Sequence, residues 1–93
     1  MYDVTVYSQP GCTHCRVVIR KLDKLGVEYT VTDITADDEA AAHLRDKGWR
    51  STPVVEVSQD GLVIAAWDGV RPDALNALGA QSADLGAFDK QGA

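Results

Sequence analysis

The sequence predicts one α/β domain in which three helices cover a mixed four-stranded β-sheet. Its 93 residues, 45% of them hydrophobic, suffice for a single modest core and are too few for two. Segments with strand-like alternation and segments with helical periodicity follow one another along the chain. A chain in which predicted strands and helices follow one another in turn typically forms a sheet with parallel pairs of strands. The expected order of elements is β-α-β-α-β-β-α.

The first third of the chain has the pattern of a β-α-β unit. Asp3 to Tyr7 alternates valines with polar residues, which predicts a strand. From Thr13 to Leu25 the apolar positions recur at helical spacing, and Gly26 is suited to end that helix. Val27 to Ile34 is rich in β-branched and aromatic residues. It is therefore predicted to be a second strand, parallel to the first.

The middle of the chain predicts a helix and then a hairpin. Thr35 is a good N-cap, so a second helix is expected over about Ala36 to Lys47. Val54 to Ser58 and Leu62 to Trp67 are predicted strands. They should pair antiparallel, because Asp60-Gly61 between them is a common hairpin turn.

A last helix is expected over Asp73 to Leu78. Pro72, after Arg71, suits a first helical position, and Gly79 is expected to end the helix. The complete order is the architecture of a minimal thioredoxin-like domain, which we assign to residues 1–80. Residues 81–93 are small and polar, and we expect them to form a loosely ordered tail.

The net charge disfavours two classes of partner. The net charge of −5 makes binding to nucleic acid or to an anionic membrane surface a poor prospect, since both need a concentrated basic face. A basic cluster on the first helix is interpreted as a solvated face, with docking of an acidic partner as the alternative; it comprises Arg16, Arg20, Lys21 and Lys24.

The sequence also bears on location and assembly. It has no run of about 18 apolar residues, and it starts directly with a strand-like pattern. We therefore expect a soluble protein in the reducing cytoplasm. We also expect a monomer, because no large apolar stripe remains once the core is assigned.

The chemistry is expected at Cys12 and Cys15, the only cysteines in the chain. Cys12 lies between the end of the first predicted strand and the start of the first predicted helix. The positive end of the helix dipole is expected to lower the pKa of its thiol. Cys15 lies one turn further on, towards the buried face. The first thiolate can attack a disulfide and the second can resolve the mixed disulfide, so the pair predicts two-electron exchange without a cofactor.

The two histidines indicate less about the function than the two cysteines do. His14 is expected to point outward, either as a filler residue or as a group that tunes the pKa of Cys12, and His43 is expected at the surface. A zinc site needs about four nitrogen or sulfur ligands. Two cysteines and two histidines at these spacings do not supply them, so no metal is expected.

Ser51-Thr52-Pro53 stands directly before a predicted strand. A proline at this position has no N–H to donate to a neighbouring strand. A cis peptide bond there would leave a backbone edge free to pair with an incoming peptide. Beside a dithiol on a β-α-β unit, Pro53 is predicted to be cis.

Over nearly all of residues 1–80 the chain resembles the glutaredoxin branch of the thioredoxin superfamily, and more closely the NrdH-redoxins. The resemblance rests on four pieces in order: VTVYSQPGCTHC, LDKLGVEYTVTDIT, GWRSTPVV and WDGVRPD. It implies a small electron donor that thioredoxin reductase reduces, and that passes electrons to a class Ib ribonucleotide reductase.

The resemblance also implies roles for residues. Cys12 would be the nucleophile, Cys15 the resolving thiol, and Thr52 with Pro53 the turn that faces the substrate. The stretch from Trp67 would fix a loop beside the active site; alternatively, Trp67 is an ordinary core aromatic. The candidate residues for substrate or partner binding are Thr13, His14, Thr52, Pro53, Trp67, Asp68, Gly69 and Arg71, with Pro72 completing the family's W-S-G-F-R-P pattern.

Three positions depart from the usual pattern of that family. Gln9 replaces a lysine, so the Cys12 thiolate is expected to be stabilised less than in relatives. Asp68 replaces a serine near the place where glutaredoxins hold a glutathione carboxylate, and the like charges would repel. Val70 replaces a phenylalanine, which indicates an altered partner surface. Glutathione is therefore expected to be a poor substrate.

Two alternatives stay open at this point. One is a glutaredoxin that depends on glutathione or mycothiol. The other is a non-catalytic redox sensor that binds a partner in one oxidation state.

Overall fold

The computed structural model describes residues 2–79, which form one four-stranded sheet with helices on both faces. The elements are β1 (Tyr2–Ser8), α1 (Thr13–Leu25), β2 (Thr30–Asp33), α2 (Asp38–Asp46), β3 (Val54–Gln59), β4 (Leu62–Asp68) and α3 (residues 72–79). The predicted order of elements and the mixed sheet are confirmed. The expected tail, residues 81–93, lies outside the described residues.

The sheet has the order β2-β1-β3-β4. β1 pairs parallel with β2 and antiparallel with β3, and β3 pairs antiparallel with β4. Asp60 and Gly61 at the hairpin have positive φ angles of 56° and 84°. Two such residues are what a two-residue turn between twisted strands requires, so the predicted hairpin is confirmed.

The main core lies between the sheet and the helices α1 and α3. Valines that alternate along β1 and β3 face Leu22 of α1 and Leu75 of α3, both of which are fully buried. The buried cluster comprises Val4, Val6, Val18, Leu22, Val27, Val55, Val57, Trp67, Leu75 and Leu78. Burial of this stripe fixes the position of α1, and with it the position of the two cysteines.

The second strand is shorter than predicted. It begins at Thr30 rather than Val27, because the end of α1 uses the backbone of the preceding residues. Gly26 is left-handed, and Val27 donates its N–H to the Leu22 carbonyl at 3.0 Å. This C-cap pattern takes Val27 out of the sheet ladder while its side chain remains in the core.

The second helix begins later than predicted, and Thr35 is not its cap. Asp33 accepts hydrogen bonds from both the N–H and the hydroxyl of Thr35, at 2.8 and 2.6 Å, in a local turn. Asp37 is the N-cap instead, and its carboxylate accepts from the Ala40 N–H at 3.0 Å.

The last helix differs at its predicted end, since residue 79 is still helical. A Cβ at Gly79 would lie 2.7 Å from Cδ2 of Leu25, so this glycine lets α3 approach α1 closely rather than stopping the helix. Within residues 2–79, no helix is both long enough and apolar enough to cross a membrane.

Candidate active site

The two cysteines are joined by a disulfide at the start of α1. Cys12 is the N-cap of the helix, and its Sγ accepts a hydrogen bond from the Cys15 N–H at 3.1 Å. Cys12 is half-buried, whereas Cys15 is only 1% exposed. An external thiol or disulfide can therefore reach the first sulfur and not the second.

The loop before β3 meets this disulfide. The Thr52 hydroxyl lies 3.5 Å from Cys12 Sγ and can donate to it. The Thr52–Pro53 peptide bond is cis, as predicted, and Pro53 is buried. The Pro53 carbonyl accepts from the Gly69 N–H at 2.9 Å, and the strand register sets Asp68 opposite Val54. The residues flanking Pro53 thus link the cysteines to the end of β4.

The other candidate residues do not converge on the disulfide. Thr13 and His14 are exposed on the first turn of α1. Arg71 pairs with Asp73 at 3.4 Å on the surface. Trp67 is a core residue, 8% exposed, whose indole N–H has no hydrogen-bond partner within the described residues. No three His, Cys, Asp or Glu side chains of residues 2–79 are grouped so that they could hold a metal ion.

A groove of about 560 Å³ lies next to Cys12, and the sequence did not predict it. It is bounded by the loop before α1, the end of β2, the second half of α2 and the loop before Pro53. Its lining residues are Gln9, Ile34, Ala41, Leu44, Arg45, Gly48, Trp49, Arg50, Ser51 and Thr52. Two of them, Gln9 and Thr52, also contact Cys12, through the Gln9 carbonyl and the Thr52 hydroxyl.

A second feature that sequence reasoning missed is a polar network under α2. Glu56 in the middle of β3 is 7% exposed. It accepts a hydrogen bond from the Tyr7 hydroxyl at 3.0 Å, and its other oxygen lies 2.6 Å from His43 Nε2. His43 is thus partly buried and paired, not the plain surface residue expected. A glutamate inside the run Val54-Val55-Glu56-Val57 was the signal available in the sequence.

Burial is the largest cause of the high pKa of Tyr7, and the hydrogen bond and charge of Glu56 add to it. Together they raise the pKa of Tyr7 to about 12. The phenol therefore stays protonated at neutral pH and remains a donor to Glu56. This network ties the end of β1, just before the active-site loop, to α2, which supplies three of the ten residues that line the groove.

Replacing His43 with alanine is expected to lower the free energy of unfolding by about 1–3 kcal/mol, because the buried Glu56 carboxylate loses one of its two partners. The matched control is His14→Ala, which removes an exposed histidine and should change stability by less than about 0.5 kcal/mol. Urea denaturation of both variants measures the difference. Equal stability of the two variants would show that the network does not hold α2 to the sheet.

The geometry as a whole is suited to thiol–disulfide exchange. Cys12 Sγ lies at the N-terminus of α1, and donors from the Cys15 backbone and from Thr52 are within reach of it. Both favour the thiolate, which is the reactive form. Cys15 stands behind it, at a Cα–Cα distance of 5.3 Å.

Comparison with known proteins agrees with this chemistry. The glutaredoxin family model matches residues 4–62. The glutaredoxin-like protein NrdH of Salmonella typhimurium is 31% identical over 75 residues, which are 81% of this chain and 86% of that protein. The gene 56 protein of Mycobacterium phage D29 is 36% identical over 76 residues, covering 81% of this chain and 80% of the phage protein.

Among solved structures, the NrdH-redoxin of Escherichia coli is similar with a TM-score of 0.72 and 32% identity, over 82% of this chain and 93% of that one. Its structure is described as the basis for a thioredoxin-like activity profile of a glutaredoxin-like protein. The thioredoxin of Fasciola hepatica superposes with a TM-score of 0.70 at 21% identity, over 86% of this chain and 79% of that one, which shows the shared fold.

Proposed function

This chain belongs to the glutaredoxin family of thiol-disulfide oxidoreductases, and we propose that it is an electron donor of the NrdH-redoxin type. It is reduced by thioredoxin reductase and in turn reduces protein disulfides, with class Ib ribonucleotide reductase as its acceptor. It works without a cofactor, through the Cys12–Cys15 pair alone, in the reducing cytoplasm. Its partners are therefore redox proteins.

The proposed reaction consists of two exchanges. The Cys12 thiolate attacks the acceptor disulfide, forming a mixed disulfide and releasing one acceptor thiolate. Cys15, as thiolate, then attacks the Cys12 sulfur, closing the internal disulfide and releasing the second acceptor thiolate. Two electrons pass to the acceptor, and the reductase restores the dithiol by the reverse exchange.

The observation that carries this proposal is the difference in exposure between the two sulfurs. Cys12 is half-buried at the N-cap with two donors near its sulfur, and Cys15 is almost fully buried behind it. An attacking and a resolving thiol need this asymmetry. The thioredoxin-like activity described for the similar E. coli protein supports thioredoxin reductase as the source of electrons.

A glutaredoxin that uses glutathione or mycothiol is the second candidate. Arg45 and Arg50 in the groove favour it, because they could attract the carboxylates of a small thiol. Asp68 opposes it, since it is the exposed last residue of β4 and lies opposite Val54, the residue that follows Pro53. The charge at position 68 is thus the feature to vary.

Asp68→Ser is expected to raise the rate of reduction by glutathione several-fold, because it removes a charge that repels glutathione carboxylates. The control is Asp38→Ser, which removes an exposed carboxylate from the first turn of α2. The measurement is the rate of reduction of hydroxyethyl disulfide with glutathione and glutathione reductase. An unchanged rate in Asp68→Ser would show that this carboxylate does not govern the choice of thiol.

The acceptor is tested by reconstitution. Class Ib ribonucleotide reductase, thioredoxin reductase and NADPH are combined with or without this protein, and deoxyribonucleotide formation is measured. We expect formation to depend on the protein and to be lost with Cys12→Ser. Formation no higher than in the mixture that lacks the protein would refute the proposed acceptor.

A further inference from the structure

We infer that the groove beside Cys12 is the docking site for an extended acidic segment of the partner protein, the segment that carries the cysteine joined to Cys12. The inference rests on the proposed function, because it specifies which protein disulfides the dithiol reduces. The groove is the one lined by Gln9, Trp49 and Thr52, together with two arginines and the end of α2.

The position of the groove links it to the reacting sulfur. The Gln9 carbonyl accepts from the Cys12 N–H at 3.3 Å, and the Thr52 hydroxyl lies 3.5 Å from Cys12 Sγ. Both residues also line the groove. A chain whose cysteine forms a mixed disulfide with Cys12 can therefore continue directly into this groove.

The charge of the groove is opposite to that of the protein. The whole chain carries a net charge of −5, yet the charged residues lining the groove are Arg45 and Arg50. Both are exposed. An acidic partner is repelled by the molecule as a whole, so a local pair of cations next to the nucleophile selects where and in which orientation an acidic segment binds.

The apolar part of the lining favours a polypeptide over a small charged thiol. Ile34 and Trp49 are partly exposed, and Leu44, which also lines the groove, is buried. The backbone of Trp49 is held in place, because its main-chain N–H donates to the Leu44 carbonyl at 2.9 Å. Gly48, which precedes it, has the left-handed conformation that this turn requires. A volume of about 560 Å³ accommodates an apolar side chain together with the acidic residues beside it.

The test uses protein that has been reduced with dithiothreitol and then desalted, so no reductase is involved. Two synthetic peptides each contain one Cys-x-x-Cys disulfide and one phenylalanine. They differ only at the flanking positions, which are Asp and Glu in the first and Ser and Asn in the second. The rate of electron transfer to each is followed by acid quench and mass spectrometry.

The native protein should reduce the acidic peptide about tenfold faster than the neutral one, and high salt should diminish this preference. The double variant Arg45→Glu/Arg50→Glu should lose the preference, so that the ratio of its rates with the two peptides falls to about one. Arg45→Gln/Arg50→Gln should lose part of it. Far-UV circular dichroism confirms that each variant is folded.

The control for charge reversal is Lys24→Glu, which changes the net charge by −2, against −4 in Arg45→Glu/Arg50→Glu. Lys24 is exposed in the last turn of α1, roughly 16 Å along the helix from Thr13, which is about two Debye lengths at physiological salt. This variant should keep the preference. A loss in Lys24→Glu at least half as large as in the double variant would show that the effect belongs to the net charge and would overturn the inference.

Two further results would also overturn it. One is a native protein that reduces both peptides equally fast. The other is a rate of reduction of oxidised glutathione that falls in the Arg45 and Arg50 variants as much as the rate with the acidic peptide does. That result would make the groove a site for small thiols. In the first case transfer to the neutral peptide still supports the exchange chemistry, so only the docking site fails. Failure of the proposed function is separate: ribonucleotide reductase or thioredoxin reductase would not exchange electrons with the native protein.

Discussion

Cys15→Ser is expected to abolish multiple turnover while leaving the first attack by Cys12 intact. The variant lacks the thiolate that resolves the mixed disulfide, and the chain has no third cysteine to replace it. Incubation of the reduced variant with a disulfide protein should therefore trap a covalent adduct that contains one molecule of each protein. Non-reducing electrophoresis and intact mass measure the adduct, and NADPH oxidation measures turnover.

The matched control is Cys12→Ser, which keeps the buried thiol and removes the accessible one. It should form no adduct and show no turnover, because Cys15 is only 1% exposed. The pair of variants thus separates attack from resolution. Full multiple turnover by Cys15→Ser would contradict the dithiol mechanism and favour a monothiol one.

Leu22→Ala is expected to destabilise the protein by about 2–5 kcal/mol, the usual cost of removing a large buried aliphatic side chain. Leu22 is 0% exposed, and it lies on the face of α1 that packs against the sheet. Its loss leaves a cavity under the helix whose N-terminus carries Cys12. Because the native stability of a small domain is itself only several kcal/mol, this is a large fraction of the total.

The control is Leu62→Ala, the same change at a leucine on β4 that is 71% exposed. It should cost less than about 0.5 kcal/mol. Urea denaturation of the oxidised proteins gives both values. A difference between the two variants of less than about 1 kcal/mol would show that α1 is not anchored by this core.

Local pattern was sufficient to predict the fold and the dithiol. Periodicity placed α1 with its observed bounds, and Asp60-Gly61 predicted the hairpin. The errors arose where two elements compete for the same backbone groups. Val27 has strand-forming character, but its N–H caps α1. Thr35 is a good capping residue, but Asp33 holds it in a turn before the helix begins.

The site was predicted only in part, because its remaining features depend on contacts between distant segments. Glu56 meets Tyr7 across 49 residues and His43 across 13, so no local spacing relates the three. The groove likewise joins Gln9 to Arg45 and Arg50 through the fold alone. Arg71 matches the family pattern in sequence, and in the structure it pairs with Asp73 at the surface, so its role in partner binding stays a prediction.

The most direct test of this account compares two sources of electrons for the oxidised protein. NADPH consumption is followed with a protein disulfide acceptor, once with thioredoxin reductase and once with glutathione and glutathione reductase, and Cys12→Ser gives the blank. We expect fast turnover only with thioredoxin reductase. Turnover only with glutathione would contradict it and identify a glutathione-dependent glutaredoxin.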